Sequence, residues 1–204
     1  MTMRVGVLAS GSGSNFSALV DALNVSGSPA RVEVLLCNVP GARAVQRAQA
    51  AGVAVELVDH RPFGKDRAAY DAAIVEALRK HQVELVCLAG FMRLVGETLL
   101  SAFPSRVLNI HPALLPSFPG MHAPRQAVEY GVKVSGVTVH FVDEGTDTGP
   151  VIAQTAVPVM EGDDEAALAA RILVEEHRLY PQVVRAIAEG RVKATGRKVS
   201  VTAR

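Results

Sequence analysis

The residues best suited to chemistry stand at the end of one apolar run, Val107-Leu108-Asn109-Ile110-His111-Pro112. The run reads as a buried strand. Side chains alternate along a strand, so Asn109 and His111 share one face. An Asn amide can donate to an oxyanion, and a His can donate, accept or carry a proton near neutral pH. Pro112 removes a backbone donor and helps to end the strand. Alone, such a pair equally suits a polar cap on a strand end. It gains weight from the acidic, Gly-containing loop Asp143 to Pro150, which follows a strand-like alternation over Ser135 to Val142. Asp147, between Thr146 and Gly149, is the favoured carboxylate in that loop, ahead of Asp143 and Glu144. Asn, His and Asp without a Ser or Cys beside them argue against an acyl-enzyme. They suit direct attack by a bound nucleophile on a carbonyl, with Asn109 and His111 holding the oxyanion. Asp147 is expected to favour the charged form of His111.

A second group lies near the amino terminus. Arg4 to Ala9 reads as a strand, Ser10-Gly11-Ser12-Gly13-Ser14-Asn15 as a turn, and Phe16, Leu19, Val20 and Leu23 recur at helical spacing. Strand, Gly-rich turn and helix form a phosphate-binding arrangement, because amides at a helix start face an anion. The third Gly of a dinucleotide fingerprint and the Lys of a nucleoside-triphosphate loop are both missing, so a monophosphate on a sugar fits better. The competing reading is an ordinary tight turn with a Ser N-cap. Further on, Arg93 beside Phe91 and Met92 suits either a grip on an aromatic ring system or a loop packed on the core.

These groups need elements to position them. Strands are expected at 31–38, 54–58, 84–88 and 106–110, and helices at 42–51 and 66–80. The alternation gives the α/β class, Rossmann-like: a mostly parallel twisted sheet with helices on both faces and an antiparallel strand in the C-terminal half. The Pro-rich loop Ala113 to His122 should wrap or wall a site, and either of its X-Pro bonds is a candidate for cis. A short helix should follow over Ala123 to Tyr130 and a strand over Val151 to Val159. A long helix should start near Asp163 and Asp164, with Pro181 kinking or restarting it before Gly190. Val192 to Val201 alternates around Gly196 as a hairpin would. Arg191, Lys193, Arg197, Lys198 and Arg204 make this end basic, which reads as a solvated tail.

The 204 residues suit one domain, or one with two lobes, and 49% are hydrophobic, enough for a sizeable core. Only 4% are aromatic and none is Trp, so Val, Leu, Ile and Ala must fill that core. Lys and Arg number 21 against 20 Asp and Glu, so net charge makes no case for nucleic acid or membrane. Cys37 and Cys87 each end an apolar run and read as buried thiols. Neither a leader pattern nor a membrane-length apolar run is found, and a cytoplasmic protein is expected.

Seven stretches, in order along nearly the whole chain, resemble the folate-dependent formyltransferases. They are Ser10-Gly-Ser-Gly-Ser-Asn15, Leu88-Ala-Gly-Phe-Met-Arg-Leu94, Leu108-Asn-Ile-His-Pro-Ala-Leu-Leu-Pro116, Pro119-Gly-Met-His122 with Arg125-Gln-Ala127, Val139-His-Phe-Val142, Asp147-Thr-Gly-Pro150, and Glu176-His177 with Tyr180-Pro181. The resemblance implies transfer of a formyl group from 10-formyltetrahydrofolate, as co-substrate, to the primary amine of glycinamide ribonucleotide in de novo purine (IMP) biosynthesis. It implies Asn109, His111 and Asp147 as the catalytic trio, supported by His140. Gly13, Ser14, Asn15 and Glu176 would bind the ribonucleotide, and Arg67, Met92, Arg93, Leu94, Val95 and Asn109 the folate. It implies one formyltransferase domain, roughly residues 1–100 binding the phosphate and ribonucleotide and roughly 101–204 carrying catalysis and the folate. The partners would be small molecules, with no metal, nucleic acid or membrane, and the protein a monomer or homodimer. Pro124 and Thr148 depart from the family pattern, where a His and a small residue are common. The alternatives are a formyltetrahydrofolate hydrolase and a non-catalytic phosphosugar-binding protein. The hydrolase is disfavoured because the chain opens on its first strand and the phosphate loop would lack a purpose.

Overall fold

The structure is a computed structural model and describes residues 2–203, so Arg204 of the basic end lies outside the described residues. The chain divides into two compact units, Met1–Leu108 and Asn109–Arg204. The first holds the parallel strands β1 (Met3–Ala9), β2 (Ala30–Cys37), β3 (Ala54–Leu57) and β4 (Leu85–Leu88), side by side in the order β3-β2-β1-β4. Val5, Val7, Leu8, Ala9 and all four residues of β4 are buried, as apolar runs in a parallel sheet should be. Helices α1 (Ser14–Leu23), α2 (Arg43–Ala50) and α3 (Arg67–Lys80) fall within a residue or two of their expected bounds. The Asp66 carboxylate caps α3 by accepting from the Ala69 amide at 2.9 Å.

Helix α4 (Glu97–Ala102) was not expected from the sequence. Six residues are too few for a 3.6-residue period to show. Its start is fixed from another element. Asp71, on α3 and buried, accepts from the amide of Gly96, which immediately precedes α4, at 2.7 Å. Burial pushes the Asp71 carboxyl up from its ordinary pKa, and the amide hydrogen bonds of Gly96 and Leu99 draw it only partly back. The contact is a helix cap supplied from outside the helix, and it anchors the end of the loop that follows β4.

The second unit is built on the antiparallel pair β6 (Val134–Phe141) and β7 (Val151–Pro158), with Thr138 opposite Gln154. β5 (Val107–His111) runs through the boundary between the units. α5 (Ala123–Tyr130) packs on α6 (Glu165–Ala188), which lies on β6 and β7. Seven strands belong to the main sheet, so the α/β class, mostly parallel with an antiparallel C-terminal strand, is as the alternation implied. Pro181 does not restart the last long helix, which is assigned as one element of 24 residues. Leu179, Tyr180, Val183, Val184 and Ile187 are buried on both sides of Pro181, so packing holds a turn that has lost one donor. β8 (Val192–Thr195) and β9 (Lys198–Val201) form the expected hairpin. The Leu115–Pro116 bond is cis. The core is largely Val, Leu, Ile and Ala, and Cys37 and Cys87 are buried. Among the described residues no helix is long and apolar enough to cross a membrane.

The cap on α4 can be tested directly. Asp71→Ala removes the acceptor for the Gly96 amide, and unfolding by denaturant should show a loss of about 1–3 kcal/mol, the usual cost of stranding a buried donor. Asp71→Asn keeps an acceptor without the buried charge and should lose less. An unchanged denaturation midpoint for Asp71→Ala would show that α4 needs no outside cap.

Candidate functional site

Asn109, His111, His140 and Asp147 meet within the second unit. The His111 and Asp147 side chains are only 5% and 11% exposed, with Nδ1 3.3 Å from Oδ2. Asn109 donates both amide protons, one to Asp147 Oδ1 and one to His140 Nε2, each at 3.2 Å. His140 Nδ1 donates to the Phe141 carbonyl at 2.8 Å, which leaves Nε2 as the acceptor that Asn109 meets. His111 Nε2 donates to the Phe118 carbonyl at 2.8 Å. The Gly120 amide donates to Asp147 Oδ2 at 2.8 Å.

Both ring nitrogens of His111 therefore face acceptors, a geometry that meets both protons of an imidazolium. Burial opposes the charge and wins. The His111 pKa lies below its ordinary value, although Asp147 and the Phe118 carbonyl each pull it upward. The sequence-based expectation of a favoured imidazolium named the right influence of Asp147 but omitted the larger cost of desolvation. The Asp147 pKa also lies below its ordinary value. Burial alone would raise it, but the nearby His140, the hydrogen bond from the Gly120 amide and the neighbouring His111 outweigh that.

Two loops hold this arrangement. In the acid loop, Asp147 adopts a left-handed φ of 56°. Asp143 Oδ1 accepts from the Gly145 amide at 3.1 Å and the Thr148 hydroxyl at 2.6 Å, so Asp143 shapes the loop while Asp147 faces the histidines. Arg197, at the tip of the β8–β9 hairpin, donates to the Thr148 carbonyl at 2.9 Å. A Cβ at Gly149 would run into the Phe141 carbonyl, so only glycine fits there. In the loop after β5, the Thr138 hydroxyl donates to the Ala113 carbonyl at 2.6 Å and accepts from the Leu115 amide at 3.0 Å. Gln154 donates to both the Leu115 carbonyl and Thr138 Oγ1 at 2.9 Å. Glu176 is buried on α6, and His122 pairs with Glu165 at 3.2 Å. Among the described residues no group of three or more His, Cys, Asp or Glu is arranged to hold a metal ion.

In the first unit, Gly13 precedes α1 with φ 71°, and the first intrahelical bond runs from Ser17 N to Gly13 O at 3.0 Å. Ser14, Asn15 and Phe16 thus form the first turn, whose amides are a ready anion site. A Cβ on Gly13 would stand 2.6 Å from Ala44 Cα, so this glycine is demanded by α2 as well as by its backbone conformation. Gly11 differs: a Cβ there would meet nothing within 4 Å.

A cavity of about 310 Å³ lies in the same unit, lined by His60, Phe63, Tyr70, Arg67, Met92, Arg93 and Leu94 among others. Four of the six residues expected to bind the folate, Arg67, Met92, Arg93 and Leu94, are brought together there, while Asn109 belongs to the second unit. Val95 is not among them: its side chain is buried. Ring and chain faces from Phe63, Tyr70, Met92 and Leu94, beside two guanidinium groups, suit a flat aromatic ligand that bears carboxylates. His60, Phe63 and Tyr70 went unnoticed in the sequence, although the Phe63 and Tyr70 rings pack at 5.5 Å. Burial pushes the Tyr70 hydroxyl up to about 12, so it stays a neutral donor, here to the Val58 carbonyl at 3.1 Å.

The chain is similar to known proteins over most of its length. The phosphoribosylglycinamide formyltransferase of Bacillus subtilis is 46% identical over 182 residues, 89% of this chain and 93% of that protein. The trifunctional purine biosynthetic protein adenosine-3 of Drosophila melanogaster is 45% identical over 189 residues, 92% of this chain but only 14% of that protein. The crystal structure of glycinamide ribonucleotide transformylase 1 from Symbiobacterium toebii superposes with a TM-score of 0.95 at 51% identity, covering 98% of this chain and 94% of that one. Residues 3–184 match the family described as Formyl transferase. The chain belongs to the formyl transferase family.

Proposed function

We propose that this protein transfers the formyl group of 10-formyltetrahydrofolate to the primary amine of glycinamide ribonucleotide, a step of de novo purine biosynthesis. The observation that carries the proposal is the buried Asn109, His111 and Asp147 set, whose side chains hydrogen-bond to one another and to His140 with no Ser or Cys among them. That set supports attack by a bound amine and argues against an acyl-enzyme on Ser or Cys. The phosphate loop would hold the ribonucleotide through Gly13, Ser14 and Asn15, with Glu176 on the same substrate. The cavity beside Arg67 and Met92 to Leu94 would take the folate. On this reading the folate residues lie mostly in the first unit, and the second unit carries the catalytic trio. The protein would act on small molecules in the cytoplasm, as a monomer or homodimer, without a metal, nucleic acid or membrane.

The attacking amine must be neutral, and an α-amino group with a pKa of about 8 supplies a useful neutral fraction at pH 7. Its attack on the formyl carbon forms the new carbon–nitrogen bond and places negative charge on the formyl oxygen. His111 would donate to that oxygen after its Nε2–H releases the Phe118 carbonyl. Asn109 would also donate, after releasing Asp147 or His140, since both of its amide protons are engaged in the resting arrangement. Asp147 would accept the amine proton, directly or through water; as the tetrahedral intermediate collapses, the bond from the formyl carbon to the folate nitrogen would break and that proton would pass to the leaving nitrogen.

The reading is tested by mixing the purified protein with 10-formyltetrahydrofolate, with and without glycinamide ribonucleotide, and following both products. Formylated ribonucleotide should appear only with both substrates. Folate release without ribonucleotide would instead indicate a hydrolase, and binding without turnover a sensor.

The phosphate loop is tested by a pair of substitutions. Gly11→Val places a side chain in open space and should leave the melting temperature nearly unchanged while raising the ribonucleotide KM. Gly13→Val should lower the melting temperature as well, because it meets Ala44 and a left-handed φ. Equal loss of ribonucleotide and folate binding in Gly11→Val would remove the loop assignment.

Asp147→Asn keeps size and removes the charge. Loss of one oxyanion-hole donor typically costs about 10²–10³ in kcat, and losing the proton acceptor should cost at least as much, with little change in either substrate's binding. Asp147 raises the His111 pKa against burial, so the imidazole should titrate still lower in the variant than in the parent, measured by NMR. Near-normal kcat in a folded variant would move the carboxylate role to Asp143 or Glu144.

A further inference from the structure

One residue in the first unit joins the start of the Gly-rich loop to the cavity wall. Ser10 is the last residue before the Gly11 to Asn15 loop. Its amide donates to the Gly90 carbonyl at 3.0 Å, and its hydroxyl accepts from the Met92 amide at 2.8 Å. The same hydroxyl donates to Asn38 Oδ1 at 2.7 Å. Asn38, only 4% exposed, passes its own amide proton to His60 Nδ1 at 3.5 Å. The His60 ring then stands edge-on to Tyr70, with centroids 6.3 Å apart. Met92, His60 and Tyr70 all line the 310 Å³ cavity. The network thus reaches the cavity wall from two directions, and both begin at one hydroxyl.

The other side of the phosphate loop is held just as closely. The Ala44 amide donates to the Gly11 carbonyl at 3.0 Å, one residue from Ser10. An anion bound by the loop would restrict the backbone from Ser10 to Gly13. The Ser10 hydroxyl would then be fixed in the position that orients Met92 and, through Asn38, His60. Folate binding afterwards has less ordering left to do, which is a route to positive cooperativity without a change of shape.

We propose that Ser10 is a positioning residue that couples the two substrate sites, so that ribonucleotide on the loop raises the affinity of the cavity for folate. The inference rests on the assignment of loop and cavity in the proposed function. Coupling between sites is reciprocal, so folate should raise ribonucleotide affinity by the same factor.

The test uses tetrahydrofolate, which carries no formyl group and permits no turnover. Its dissociation constant is measured by calorimetry with and without saturating glycinamide ribonucleotide. The parent protein should bind it at least about fivefold more tightly in the presence of ribonucleotide, the lower end of typical coupling. Ser10→Ala should bring that ratio close to one, and Ser10→Thr, which keeps the hydroxyl, should restore it. Asn38→Ala, checked for folding by its melting curve, provides the same test should Ser10→Ala fail to fold: its ratio should also fall. A parent ratio of one, or an unchanged ratio in either folded variant, would overturn the coupling while leaving the proposed function standing. Failure of the parent protein to bind either ligand would remove the proposed function and the coupling with it.

Discussion

The buried negative charge of Asp147 is the constraint on which the second unit is arranged. A carboxylate with 11% exposure needs partners, since an unpaired charge at that depth is expensive. Asn109, the Gly120 amide, His111 and His140 all approach it. Meeting them requires the backbone at Asp147 to turn left-handed, at a cost of about 1–2 kcal/mol that Asp bears better than most residues. Such a conformation persists when its surroundings over-determine it. The Asp143 hub, the Gly149 close approach and the Arg197 contact with Thr148 do so.

The same charge dictates the loop after β5. Gly120 must present its amide to Asp147 while Phe118, two residues earlier, presents its carbonyl to His111. Phe118 and His122 take positive φ values in doing so. A segment bent this sharply needs fixed ends. Thr138, fully buried in β6, accounts for all its hydrogen-bonding capacity through Ala113, Leu115 and Gln154. A hydroxyl in the middle of a core strand is thereby explained by the loop that it ties down. The two departures from the family pattern also find places. Thr148 gives its hydroxyl to Asp143, and Pro124 sits in the first turn of α5, where no intrahelical donor is lost.

What the sequence revealed depended on whether a feature was local. Among the described residues, periodicity located seven of the eight strands and α-helices that lie wholly in the first unit, because each apolar run is continuous. It missed α4, whose start depends on Asp71 from another helix. Spacing placed Asn109 and His111 on one face and favoured Asp147 over Asp143 and Glu144 in the acid loop. The fold supplies the physical reason, with Asp143 turned into its own loop and Asp147 toward the imidazoles. Met92, Arg93 and Leu94 were legible as a motif, whereas Phe63 and Tyr70 join them through tertiary packing alone. Val95 continues the same motif, but its side chain is buried.

The sign of the His111 shift gives the trio its logic. An imidazole with an acceptor at each nitrogen is wired to be doubly protonated, yet burial holds its pKa below the ordinary value. Burial is the largest influence, so the cation is disfavoured in the resting site. A further negative charge beside the ring would favour the cation. On the proposed reaction the formyl oxygen gains that charge only as the amine attacks. The ring would then hold its proton more strongly in the transition state than with the planar formyl group in place. An interaction that strengthens as charge develops lowers the barrier, whereas one of equal strength throughout would only tighten binding. Desolvation of His111, a cost when the free protein is considered alone, thus makes its interaction selective for the transition state.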